Sequence, residues 1–262
     1  MTDSTNTNNP LLARAKMPGS TFTLPSQGLF YKDGELDDTV KNGEIYVQPM
    51  VTLDELIFKT PDKLYTGDAF RDVFSRCIPQ VKKPLKLLSK DLDFLLICLR
   101  KVSLGSDIEL TYTHTCENAK EHNYVISIDD FIKNTKRIDP TTLESFEIKL
   151  DNGQTVHIAP PRFDNILKIY QQNDNNEGNV EQAHQELRET LLSIIYKVDD
   201  ITDKKMISEW LDVIKIGYIK DITKGISNTS DWGPDQTSTI VCKDCKEEIE
   251  VTTPLNPVSF FT

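Results

Sequence analysis

Ser238-Thr239-Ile240-Val241-Cys242-Lys243-Asp244-Cys245-Lys246-Glu247-Glu248-Ile249-Glu250-Val251 is a strand that runs into a Cys-x2-Cys turn and returns with a period of two. The chain uses the same form earlier. Tyr112-Thr113-His114-Thr115-Cys116 leads through Glu117 to Glu121 into His122-Asn123-Tyr124-Val125-Ile126-Ser127-Ile128. Each stretch ends a strand at a cysteine, makes a tight connection carrying a second soft or borderline ligand, and comes back as a strand. Zn²⁺ takes four N or S ligands in a tetrahedron, and Cys-x2-Cys lets two thiolates converge from one turn. Cys242, Cys245, Cys116 and His122 are therefore the expected ligands of a structural Zn²⁺. His114 competes for the fourth place, because His-x-Cys on a strand puts both side chains on one face. The competing reading, which the wide separation in sequence favours, is two turn cysteines and a surface histidine with no metal. Redox chemistry is disfavoured, since a reactive Cys-x2-Cys normally opens a helix and Lys246 to Val251 alternates like a strand.

Outward from these hairpins the chain alternates helical and extended pieces. Phe22-Thr23-Leu24-Pro25 and Glu44 to Pro49 read as short strands. Thr52-Leu53-Asp54-Glu55 fits a capping box with Thr52 as cap and Glu55 returning the bond. Ala69, Phe70, Val73, Phe74 and Cys77 form one helical stripe; Leu92, Leu95, Leu96 and Leu99 form another, closed by Gly105. Glu147 to Leu150 and Thr155 to Ile158 flank Asn152-Gly153, the strongest hairpin signal in the chain. Pro160-Pro161 marks a boundary, after which Arg162 to Tyr170, Leu187 to Tyr196 and Met206 to Ile214 carry helical stripes. The expected fold class is α+β: a small antiparallel β-rich domain with a zinc-ribbon-like element and an inserted helical subdomain. The expected divisions are a flexible tail (1–21), an α+β domain (22–160), a helical subdomain (161–226) and a β segment returning to the first domain (227–262).

Composition narrows the function. With 262 residues, 38% hydrophobic and 27% charged, the chain can bury a core. No apolar run approaches the roughly 20 residues of a membrane span, and the first residues lack a secretory signal pattern. A net charge of −11 repels phosphate backbones. Cys77 and Cys98 sit on apolar stripes as buried structural thiols. No nucleophile elbow, phosphate loop, dinucleotide fingerprint or zincin helix occurs, and the Asp pairs are explained by caps and solvated faces. The expectation is no enzyme, no small-molecule substrate, no nucleic acid and no membrane. Phe260 and Phe261 end the chain; they either fold back onto the core or dock into a partner.

Leu24-Pro25-Ser26-Gln27-Gly28-Leu29-Phe30-Tyr31, Ile45 to Glu55, Asp91-x-Asp93-Phe94-Leu95-Leu96 with Leu99-Arg100, and Leu255-Asn256-Pro257 with Phe260-Phe261 resemble the T4-type bacteriophage baseplate hub assembly proteins. The resemblance covers residues 22–262 in patches, and its motifs are turns and packing elements. It implies a viral tail assembly factor, either chaperone-like or a minor hub component, with other baseplate hub proteins as partners. It also implies a place in the host bacterial cytoplasm or the tail baseplate, with Phe260 and Phe261 available as partner contacts. The alternative is a zinc-ribbon nucleic-acid or transcription adaptor, which requires a basic face around the Cys turns.

Overall fold

Ser20 to Thr23 and Glu44 to Val47 are short, half-apolar stretches that pair antiparallel as β1 and β2, with Ser20 opposite Val47. The computed structural model describes residues 18–116, 120–139, 146–173 and 180–261, apart from the side chains of 172, 173 and 180–184. The expected tail lies mostly outside the described residues, and β1 starts at Ser20, inside its expected bound. Three helices follow: α1 (Thr52–Phe58), α2 (Pro61–Thr66) and α3 (Asp68–Cys77). The cap of α1 sits one residue earlier than its sequence pattern indicates. Val51 is the cap residue, and Asp54, not Glu55, accepts from its amide at 2.9 Å. Asp54 is buried and paired with Arg76, which explains why it takes the role from the exposed Glu55-Lys59 pair.

Helix α4 (Ser89–Leu104) is apolar nearly all round and runs through the main core. Gly105, at φ +95°, ends it by donating its amide to the Lys101 carbonyl at 3.1 Å. Next come β3 (Asp107–Thr113), β4 (Glu121–Ser127) and the short helix α5 (Ile128–Lys133), the last taking Ile128 from the expected strand. In the β3–β4 register Ile108 faces Ile126 and Leu110 faces Tyr124, so the alternation seen in the sequence is the buried face of this hairpin.

The Asn-Gly hairpin forms β5 (Glu147–Lys149) and β6 (Thr155–Ile158), with Gly153 at φ +88° donating to the Leu150 carbonyl. After α6 (Phe163–Asn173) and α7 (Val180–Ile194), the sequence pattern predicts helix through Tyr196. Instead Ile195–Val198 becomes β7 and pairs with β6. Ile195 and Val198 are β-branched and buried there, and β6 offers an open edge. Then follow α8 (Lys204–Val213), capped by Asp203, and α9 (Ile216–Asn228). The chain closes with β8 (Thr237–Val241), β9 (Glu248–Thr252) and α10 (Pro257–Phe260). The described residues thus combine helices with small antiparallel sheets, an α+β fold as expected.

Two cores result. One runs from Leu24 to Phe131 and takes back Ile240, Val251, Phe260 and Phe261; the other runs from Phe146 to Ile222. β7 draws the Asn-Gly hairpin into the second core, and Leu88, Ile138 and Trp232 form a third, smaller cluster. The aromatic pair is buried. Phe260 and Phe261 are 4% and 2% exposed. Phe261 stacks on Phe58 with ring centroids 5.1 Å apart, and the Arg100 guanidinium lies 5.6 Å from the Phe260 ring. Both aromatics thus fold back into the main core.

The motifs quoted for the resemblance meet in space. Asp91, wholly buried on α4, accepts from the Ser26 amide (3.0 Å), the Ser26 hydroxyl (2.5 Å) and the Tyr31 hydroxyl (2.8 Å). Tyr31 Oη in turn accepts from the Leu88 amide at 3.0 Å. The turn holding Ser26 rests directly on the opposite turn, where a Cβ at Gly43 would come within 2.8 Å of the Gln27 backbone. Polar residues at the start of the chain are thereby tied to the first turn of the central helix.

Candidate metal centre

The tips of the β3–β4 and β8–β9 hairpins face each other. Lys243 donates its amide to Tyr124 Oη (3.3 Å) and its ammonium to the Asn123 carbonyl (2.6 Å). At this junction His114, Cys116, Cys242 and Cys245 place one ligand atom each within 4.8 Å of one another. A tetrahedral Zn²⁺ with bonds of about 2.3 Å needs its sulfurs about 3.8 Å apart. A small contraction of this group reaches that spacing.

The turn is built for thiolate. The Lys246 amide donates to the Cys242 carbonyl at 3.0 Å, closing the loop, with Lys246 itself at φ +67°. The Cys242 thiol is pushed down to about 6, chiefly by the Cys245 amide aimed at its sulfur. The Asp244 amide, the Cys245 thiol and His114 add to this against the opposing effect of burial. Oriented turn amides here do what a helix N-terminus does elsewhere. His114 Nδ1 lies 3.4 Å from Cys245 Sγ, while its Nε2 lies 3.9 Å from Glu247 Oε2. A ligating histidine typically gives its second nitrogen to a carboxylate, which fixes the ring and its tautomer. Three thiols and an imidazole backed by a carboxylate suit a structural Zn²⁺, and the cluster can hold a metal ion.

Three of the four expected ligands, Cys116, Cys242 and Cys245, are brought together. The fourth position belongs to His114, the competitor, and not to His122. His122 lies within the β4 ladder opposite Tyr112 and is not one of the four clustered residues. Its Nε2 is 2.9 Å from Asp244 Oδ2, and the Lys120 amide donates to the same oxygen at 3.3 Å. His122 thus struts the two hairpins together beside the cluster. The His-x-Cys alternation pointed to His114; the Glu247 and Asp244 contacts had no signal beyond their place in the Cys-x2-Cys turn. Cys77 and Cys98 are buried as expected, and burial drives both thiols up, Cys77 to about 12.

The basic face required by a nucleic-acid adaptor is not offered by this turn. Lys243 is spent on Asn123 and lies over the Tyr124 ring, and Lys246 donates to the Lys243 carbonyl. Glu247, Glu248 and Glu250 stand exposed around them. Among the described residues no helix is long and apolar enough to cross a membrane.

A family described as T4 bacteriophage base plate protein matches residues 21–262 of the chain. No curated protein and no solved structure matches it.

Proposed function

The chain belongs to the T4 bacteriophage base plate protein family, and from that membership we propose that it is a hub assembly factor that works by holding other baseplate proteins. Baseplate membership implies a place in the virion tail; the finer role, chaperone-like or minor hub component, is this reading. The observation that carries it is the elbow between α8 and α9. Val213 and Ile216 are 80% and 75% exposed there, whereas their neighbours Leu211 and Ile222 are buried in the second core. Large apolar side chains grouped on a rigid turn mark a protein contact. Covering such a surface until the proper neighbour arrives is how an assembly factor prevents wrong pairing. Zn²⁺ at the hairpin tips is structural in this reading. It locks the C-terminal hairpin onto the first domain and leaves the chain without a catalytic part to play.

The Val213→Asp/Ile216→Asp double variant tests this. Tagged wild-type chain captured from infected cells brings down a baseplate subunit, identified by mass spectrometry. The variant loses that subunit while its melting temperature stays within about 2 °C of wild type, since exposed substitutions cost little stability. Equal recovery of the subunit by the variant would refute the elbow as the contact.

A further inference from the structure

A second surface feature lies at the seam between the two cores. A cleft of about 680 Å³ opens between the loop after β1, the Pro160–Arg162 connection, the end of α7 and the start of α8. Its charged lining is Lys32, Lys86, Arg162 and Lys204 against Glu35, a positive cavity on a chain of net charge −11. Two of these cations are matched: Arg162 pairs with Glu35 at 2.9 Å and Lys86 with Asp164 at 2.5 Å. The other two are not. Among the described residues no carboxylate lies within ion-pair distance of Lys32 or Lys204.

Lys204 is held in place by the fold. Its ammonium donates to the Leu192 and Ile195 carbonyls at 2.6 and 2.5 Å, covering the C-terminal end of α7. Those two bonds leave one of its three donors. Lys32 and Lys204 line the same cleft, and burial, then the charge of Lys32, lower the pKa of Lys204. An anion between them relieves their like-charge repulsion. The remaining lining is mixed: Phe30, Pro160 and Tyr196 are among its apolar members, and Asn165, Ser193 and Thr202 are its neutral polar ones. The apolar members suit the flanks of an organic anion better than a bare phosphate.

We propose that this cleft binds a side-chain carboxylate on an apolar segment of a partner polypeptide, held between Lys32 and Lys204 and packed against Phe30 and Tyr196. The inference rests on the protein-holding role proposed above for the class of its occupant. It places a second, electrostatic contact away from the apolar elbow.

The probe is a fluorescein-labelled pentapeptide of alternating leucine and aspartate with blocked termini, titrated by anisotropy into the full chain. Its asparagine analogue and inorganic phosphate at equal ionic strength serve as comparisons. The aspartate peptide binds, the asparagine analogue binds at least about five-fold more weakly, and Lys32→Glu weakens the aspartate peptide about ten-fold, the range expected for partly screened charge pairs. Lys32 is exposed, so the variant keeps its melting temperature. The proposal is overturned by equal binding of the two peptides, by no binding at millimolar peptide, or by an unchanged affinity in Lys32→Glu. Displacement of the peptide by phosphate at equal concentration overturns it as well. Capture of the subunit through the elbow is a separate readout and survives any of these failures.

Discussion

The Cys242→Ser/Cys245→Ser double variant is expected to purify without zinc and to melt about 10 °C below the wild type, for which one Zn²⁺ per chain is the expected content. Structural zinc contributes on the order of 10 kcal/mol to the folding of small zinc peptides. Here the metal closes only the junction of two hairpins whose strands also pair and pack. The expected loss is therefore the smaller figure of about 3 kcal/mol, which in a chain of this size shifts the melting temperature by roughly 6–12 °C. The histidines divide the prediction further. His114→Ala releases the metal, because it removes a ligand atom from the cluster. His122→Ala retains it and loses only the strut to Asp244. Metal analysis beside calorimetry reads both. Unchanged zinc content in the double cysteine variant would remove the metal from the account, and zinc loss in His122→Ala alone would exchange the roles of the two histidines.

Asp91→Ala is expected to destabilise the chain by about 3–5 kcal/mol, enough to threaten folding. The variant leaves the Ser26 amide, the Ser26 hydroxyl and the Tyr31 hydroxyl buried without their acceptor; each such orphan costs about 1–3 kcal/mol. Asp91→Asn keeps one acceptor oxygen and loses less. Wild-type stability should also carry the mark of this residue. Burial lifts the Asp91 carboxyl from 3.8 to about 6, with the Ser26 and Tyr31 bonds pulling the other way. Asp93 is lifted to about 6 as well, also by burial. The folded state therefore binds protons more tightly than the unfolded one between these values. The contribution of both groups is largest below about pH 4 and declines as pH rises through 6. That slope is opposite to the acid loss of an ion-paired carboxylate. Urea melts at pH 4.5 and 7, compared between wild type and Asp91→Asn, read it directly. A wild-type slope that the variant leaves unchanged would dissociate it from Asp91.

Much of this arrangement is legible in the sequence where local periodicity and local chemistry agree. The alternation of Ile108, Leu110 and Tyr112 with Tyr124 and Ile126, the Asn152-Gly153 turn and the stripe from Ala69 to Cys77 each appear where the pattern puts them. Two of the four metal-cluster residues, Cys242 and Cys245, are legible for the same reason, since Cys-x2-Cys constrains geometry within one turn. What is not legible depends on partners distant in the chain. Ile195 to Val198 carries a helical stripe into a strand because β6 is there to receive it. His122 looks as good a ligand as His114 until the hairpin register puts it opposite Tyr112. For Phe260 and Phe261 the sequence leaves folding back and docking open, and only the contacts with Phe58 and Arg100 show them in the core. The Asp91 network joins positions 60 and 65 residues apart, and no local pattern connects them.

The holding role is tested most directly by cross-linking the complex captured from infected cells with an amine-reactive reagent and mapping the links by mass spectrometry. The account predicts links from Lys215 and Lys220, which flank the α8–α9 elbow, to one other baseplate protein. Links that join a second protein only through Lys243 and Lys246 at the hairpin tips, or none to any second protein, would contradict it.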